Sequence, residues 1–295
     1  HESARSRVCR GVAEDGTPVI LKFASPQERD AGVISQLRHE HQILERMAKR
    51  TGDPVALVSI DGVEALVRLD RGGVPLAALL KNGAMPFELG LAAARSLVEA
   101  LDGVHRAGVV HKDINPSNIL WHDDEATVTL IDFGIAQFEQ GDEAPILAAS
   151  IAAGTWAYAA PEQSGRMRRT PDERADLYAV GITLYEIFSG GVPFVGGDVA
   201  ELIHAHLAVK PSPLIERSPG VPKQLSDMVG KLLEKEPERR YQTASGLLAD
   251  LQRLATDSSE FPLGLQDSIE RFDVPERLYG REAEIDSFGG RQRSE

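Results

Sequence analysis

Residues 175–190, ADLYAVGITLYEIFSG, form a helix-length run with apolar side chains on nearly every side. A helix without a polar face has nothing to show to water, so this one is expected to lie buried. Helical patterns recur around it. One long helix spans 87–108 and closes at Gly108, a residue suited to the left-handed position after a helix end. Three more follow at 199–209, 224–235 and 243–255, separated by proline-rich turns. The first seventy residues have a different texture. Residues 8–22 read as two β-branched runs around a Glu-Asp-Gly turn, and 55–69 as a second hairpin turning at Asp61-Gly62. Between them, Ile34, Leu37, Ile43, Leu44 and Met47 mark one amphipathic helix over 30–49. The expected fold is therefore α+β and bilobal. A small antiparallel-sheet lobe with one main helix occupies 1–71, with its first strand cut short. A mostly helical lobe occupies 72–255, and an extended linker 256–295. The glycines of DRGGVP (70–75) give the boundary a hinge.

Several function classes drop out on composition. The 42% hydrophobic and 26% charged content is that of a globular chain. No apolar run approaches the roughly 20 residues that cross a bilayer, so no membrane partner is expected. A net charge of -13 without a basic stripe makes nucleic acid a poor partner. The single cysteine, Cys9, excludes a disulfide scaffold, suits a reducing cytoplasmic setting, and reads as plain hydrophobic filler. Because the chain begins at His1 and enters directly into strand-like sequence, it is expected to be a piece of a longer protein.

Chemistry concentrates in two loops. Asp113 and Asn118 lie in HKDINPSNIL (111–120), directly after the apolar pair Val109-Val110. A second aspartate, Asp132, follows the short apolar strand TVTL in IDFG. One carboxylate can accept a proton from an attacking hydroxyl. The other, with the amide oxygen of Asn118, can hold hard Mg²⁺ ions that leave room for phosphate oxygens. Lys22, ending the strand VILK, is the candidate to orient phosphates, and Glu40 in the first helix can pair with it. Phosphoryl transfer asks mainly for positioning and charge stabilisation, so this small set suffices.

Taken in order, VILK, Glu40, HKDINPSN, IDFG, GTWAYAAPEQ (154–163), RADLYAVG (174–181) and KEPERRYQTA (235–244) resemble the eukaryotic-type protein Ser/Thr kinase domain over residues 1 to about 255. The resemblance implies transfer of the ATP γ-phosphate to a protein hydroxyl. Lys22 would contact the α- and β-phosphates and pair with Glu40. Asp113 would orient and deprotonate the acceptor, while Asn118 and Asp132 would bind Mg²⁺. Adenine would lie between Val8 and Ile20 above and Leu120 below, with backbone groups near Arg68 and Asp70 bonding its edge. Glu162 would pair with Arg240, and Asp176 would anchor the catalytic loop. His111 would brace that loop, with Trp121, Trp156 and Tyr158 packing around it. His204 and His206 suggest no metal site. The APE segment favours a protein kinase over a small-molecule phosphotransferase.

The chain departs from that pattern in two places. His1, Ser3 and Ser6 stand where the nucleotide loop usually carries glycine. Asn115 stands two residues after Asp113, where Ser/Thr kinases usually carry lysine, and Ser117 offers no compensating arginine. Losing that cation would cost on the order of 10²–10³ in rate. Lys112 replaces an arginine and is not expected to swing across. A pseudokinase, acting as a nucleotide-binding or protein-binding regulatory module, is thus the alternative reading. Thr155 would support the catalytic loop, and Ser150 is the candidate phosphosite. Finally, LYGREAEI (278–285) resembles the lead-in to an AAA-type ATPase. With the kinase part, it resembles the N-terminal module of large bacterial signalling proteins that continue into ATPase, sensor and sometimes histidine kinase modules. Those modules and a protein substrate are the expected partners.

Overall fold

A computed structural model describes residues 6–24, 31–139, 155–167, 169–256 and 259–268. The small lobe is an antiparallel sheet in the order β1-β2-β4-β3, made from β1 (Ser6–Val12), β2 (Pro18–Ala24), β3 (Val55–Ile60) and β4 (Val63–Leu69). Helix α1 (Ala31–Thr51) packs on it, with Leu37 and Ile43 among its buried residues. Asp61 and Gly62 both have positive φ, 51° and 77°, the geometry that matches a two-residue turn to strand twist. Cross-strand pairing sets Val8 against Lys22, Arg10 against Ile20, Lys22 against Leu66 and Ile20 against Arg68. Partners across a ladder share a face, as do residues two apart. Val8, Ile20, Lys22 and Arg68 therefore all project from one side of the sheet.

The chain leaves β4 through Gly72 and Gly73, at φ 73° and 89°. A Cβ on Gly73 would stand 2.8 Å from the His122 ring, so both conformation and space require glycine there. The larger lobe begins with β5 (Val74–Pro75) and α2 (Leu76–Leu80), neither long enough to carry a readable period. Helix α3 (Phe87–Arg106) then buries Leu91, Ala94, Leu97, Val98 and Leu101, the stripe of one helix face. Next come β6 (Val109–Val110), β7 (Ile119–His122), β8 (Thr127–Leu130) and β9 (Gln137–Phe138). β5, β7 and β8 form one small sheet, and β6 pairs with β9.

Helix α4 (Glu173–Ser189) is the apolar run of the opening paragraph, and it is buried along most of its length. Asp172 caps its first turn by accepting from the Arg174 amide, and Gly190 closes it at φ 75°. Around it lie α5 (Val199–Ala208), α6 (Leu214–Arg217), α7 (Lys223–Leu232) and α8 (Ala244–Thr256). One contiguous apolar cluster extends from Ile43 through α3 and α4 to Phe261. Each large side chain buried there contributes about 1.5–3 kcal/mol. Truncating one, such as Leu97→Ala, would cost about 2–5 kcal/mol.

The tail corrects an expectation. Read as part of an extended linker, residues 259–268 instead pack on α7 and α8. Phe261 is only 6% exposed, with the Arg253 guanidinium 4.3 Å from its ring centre. Its carbonyl accepts from Gln224 at 2.6 Å, and the Gly264 amide donates to Asp250 at 2.7 Å. The Asp267 carboxylate accepts from the Gln242 and Thr243 amides and from the Thr243 hydroxyl, at 2.8–2.9 Å, ahead of α8. A Cβ on Gly246 would lie within 2.7 Å of Asp267, so this seat exists only because residue 246 has no side chain. Capping bonds and one buried ring hold the segment. Neither has a periodicity that sequence can display. The LYGREAEI stretch, Ser150, His1 and Ser3 lie outside the described residues.

Candidate active site

Strand β2 and helix α1 bring Lys22 and Glu40 together from opposite sides of the small lobe. The Lys22 ammonium donates to Glu40 at 2.7 Å and to Asp132 Oδ1 at 2.7 Å. Glu40 is 2% exposed, whereas the Asp132 side chain is 46% exposed. Burial opposes the lysine's charge, but the attraction of Glu40 and Asp132 outweighs it and holds the pKa above its usual range. For Asp132, burial pushes upward while Lys22 pulls down harder, so the carboxyl stays ionised well into acid. Asp132 has φ 61°, a left-handed conformation that costs a non-glycine residue about 1–2 kcal/mol. Helix α1 holds the turn in place. Gln36 donates to the Gly134 carbonyl at 3.0 Å, and His39 meets the Ala136 carbonyl at 2.7 Å.

Asp176, at the start of α4, positions the loop that carries Asp113. It accepts from the backbone amides of His111 and Lys112 at 2.8 and 2.7 Å and from His105 at 3.0 Å. This stabilises Lys112 at φ 66°. His111 is fully buried against Phe133, ring centres 4.5 Å apart. Its Nδ1 accepts from the Asp113 amide, which leaves Nε2–H to donate to the Ile131 carbonyl. Burial keeps the ring neutral, and it acts as a brace. Asp113 itself is gripped by two amides. Asn115 donates to Oδ1 at 2.9 Å and Asn118 to Oδ2 at 2.8 Å. Burial first, and then the neighbouring Asp132 charge, raise the Asp113 carboxyl to about 7, the range in which a general base is useful.

Asn118 spends its NH₂ on Asp113, so its carbonyl oxygen is the atom left for a cation. Among the described residues, no three His, Cys, Asp or Glu converge as a ready-made metal cage. A pair such as Asp132 and Asn118 still fits Mg²⁺, which keeps several waters and shares its remaining positions with phosphates.

The expectation for the adenine edge, backbone groups near Arg68 and Asp70, is narrowed by the sheet. Arg68 lies inside β4, paired with Ile20 on one side and Val55 on the other, so its backbone belongs to the ladder. The Asp70 amide donates to the Pro18 carbonyl at 3.0 Å. Its carboxylate takes Arg10 at 2.9 Å and the Gly72 amide at 2.9 Å. Neither residue has backbone donors to spare. What Arg68 contributes is its side chain, on the same face as Lys22 and electrostatically coupled first to Glu40 and then to Asp132, with burial lowering its pKa. Sequence reasoning missed this cation, although the alternation VEALVRL, which puts Arg68 two residues from Leu66 and so on the same face, carried the signal. Val8, Ile20 and Leu120 are half-buried.

Behind the catalytic loop, Glu162 pairs with Arg240 at 2.6 and 2.9 Å, as the family resemblance implied. Gln163 was overlooked: it bonds the Ala160 amide and reaches the Lys112 carbonyl at 2.8 Å, tying this segment to the catalytic loop. Tyr158 does more than pack, since its hydroxyl donates to Glu186 at 2.6 Å. His206 is a core histidine, bonded to the Tyr178 hydroxyl at 2.9 Å.

Comparison with known proteins fits this geometry. A family model described as protein kinase domain matches residues 4–250. A probable serine/threonine-protein kinase of Clostridium perfringens is 34% identical over 252 residues, covering 85% of this chain and 34% of the relative. Serine/threonine-protein kinase PknL of Mycobacterium tuberculosis is 32% identical over 246 residues, covering 81% of this chain and 60% of the relative. Hybrid signal transduction histidine kinase G of Dictyostelium discoideum is 36% identical over 160 residues, covering 45% of this chain and 5% of the relative. The chain thus spans less than two thirds of the length of each of these relatives. Among the described residues, no helix is long and apolar enough to cross a membrane.

Proposed function

The chain belongs to the protein kinase family, and we propose that it transfers the γ-phosphoryl group of Mg-ATP to serine or threonine hydroxyls of proteins. One observation carries the reading: a strand amine, Lys22, bonds both Glu40 and Asp132 at 2.7 Å, beside an aspartate of raised pKa. In this assignment Asp113 orients the acceptor hydroxyl and takes its proton. Lys22 holds the α- and β-phosphates while Glu40 fixes the lysine. Asp132 and Asn118 would hold Mg²⁺, which when bound would supply charge neutralisation to the phosphates. Val8, Ile20 and Leu120 supply apolar walls for the base. The names of the bacterial relatives, which are serine/threonine-protein kinases, support the choice of acceptor.

Incubating the protein with Mg-ATP and a generic basic protein, and following phosphate incorporation by mass spectrometry, tests the proposal. Asp113→Ala should lower the rate by roughly 10²–10⁴. Equal incorporation by both forms would refute it. The second reading, a nucleotide- or protein-binding regulatory module, draws on the missing cation at Asn115. It predicts stabilisation by nucleotide without turnover. We further propose that the domain works in the cytoplasm as one module of a longer signalling protein. The small share of its relatives that it spans supports this, including 5% of a hybrid histidine kinase. ATPase and sensor modules would be its neighbours.

A further inference from the structure

Asn115 stands where the sequence pattern asks for a lysine, and the simplest account makes it a lesion, one charge removed. Its contacts describe something else. The side chain is 7% exposed and bonded at both ends. Nδ2 donates to the Asp113 carboxylate at 2.9 Å and to the Asp113 carbonyl at 3.1 Å. Oδ1 accepts from the Ser117 amide at 3.0 Å, capping the 3₁₀ turn Pro116–Asn118. The orientation of the amide follows from its neighbours. On one side lie only acceptors, a carboxylate and a carbonyl; on the other lies a backbone N–H, which can only donate.

Asn118, at the end of that turn, donates to the other carboxylate oxygen at 2.8 Å. Each oxygen of Asp113 therefore receives one neutral amide donor, and one side chain both grips the carboxylate and caps the turn that delivers the second grip. Nearby cations are engaged elsewhere. Lys112 bonds the Gln137 side chain, and Lys22 bonds Glu40 and Asp132. A lysine at 115 could donate to Asp113, but it has no acceptor for the Ser117 amide.

We propose that Asn115 is a positioning residue for the catalytic aspartate, fixing the Asp113 carboxylate and the Pro116–Asn118 turn in a single arrangement that lysine could not reproduce. The inference rests on the phosphotransfer reading given above, since positioning matters to the rate only if Asp113 acts on an acceptor.

Steady-state kinetics with Mg-ATP and a protein substrate, on the intact 295-residue chain, provide the test. The variants are Asn115→Ala, Asn115→Lys and Asn115→Asp, with Asp113→Ala as the floor. Hydrogen bonds to a charged group correspond to about 10- to 100-fold in rate. Asn115→Ala should lower kcat by that factor while KM for ATP stays within about threefold, a split that general loosening of the fold would not produce. Asn115→Asp, which keeps the cap but loses the donor, should fall at least as far. Asn115→Lys should fail to raise kcat. A tenfold or greater gain in Asn115→Lys would overturn the proposal and restore the missing-charge account, as would an unchanged kcat in Asn115→Ala. Wild-type incorporation no higher than the Asp113→Ala floor would sink the phosphotransfer reading instead. A crystal structure of Asn115→Ala then decides the positioning claim without turnover. Asp113 should leave its rotamer or split between two, and an unmoved carboxylate would refute the claim.

Discussion

Two of the ion-paired cations that join distant stretches of this chain, Arg240 and Lys22, are held differently. Arg240 and Glu162, in the large lobe, have side chains 0% and 2% exposed. The guanidinium meets the carboxylate twice and also donates to the carbonyls of Arg174, Glu234 and Lys235, so all five of its N–H groups are used. Lys22, in the small lobe, has two carboxylate partners for three donors, and one partner, Asp132, is about half open to solvent. The first pair is saturated and closed. The second is open to solvent at Asp132, the residue proposed to meet the metal-bound phosphates. Charge pairs of similar length are therefore closed and saturated at Arg240 and half open at Lys22.

The largest effect should come from breaking the closed pair. Arg240→Ala strands a buried Glu162 and should cost about 3–5 kcal/mol, measured by urea unfolding. A loss under 1 kcal/mol would mean the pair is not a fastener. Lys22→Met should tell chiefly on activity. It should lower phosphate transfer by about 10²–10³, and because it leaves the buried Glu40 carboxylate without its ammonium it should also cost stability, though less than Arg240→Ala does. Equal stability losses in the two variants would erase the contrast.

Protons give a milder probe of the closed region. His206 sits against Tyr178, which also carries Arg240 over its ring at 4.8 Å. Burial, and then the Lys235 charge, lower the His206 pKa to about 4. The unfolded chain takes this proton near pH 6.5, before the folded one does. Stability from this residue is thus full above pH 6.5 and falls between pH 6.5 and 4, by roughly 3 kcal/mol. His206→Gln should flatten the melting-temperature profile across that window, and parallel profiles would exclude the residue. Smallest of all, Asp267→Ala should remove the acceptor of the two amides ahead of α8, at a cost of about 1 kcal/mol, or roughly 2–4 °C in melting temperature, without changing kcat. A drop in kcat would show that this contact reaches the catalytic loop through Gln242 and Arg240.

The sequence made the two-lobe plan legible because the plan is written in periods: alternation through VILK and VEALVRL, a helical stripe in α3, an all-apolar α4. The residues that the structure brings together, Lys22 with Glu40 and Asp132 and Asp113 with Asn118, were also named from the sequence, where all but the helical Glu40 lie in short runs tied to strands or loops. Arg68 was read for its backbone alone. Backbone pairing on both edges of β4 decides whether its main chain or its side chain enters the cleft, and one sequence does not display strand order. Asn115 was read as an absent charge, because a hydrogen bond depends on where the loop turns. The packed segment 259–268 escaped because its contacts are caps to residues 14 to 37 positions away.

That segment also has a practical consequence. Similarity to the family ends at residue 250, yet the carboxylate that satisfies the amides ahead of the last helix belongs to residue 267. A fragment trimmed where the likeness stops would leave those amides bare and uncover the apolar seat of Phe261, inviting self-association. A fragment that keeps these hydrogen bonds must therefore run at least through residue 268.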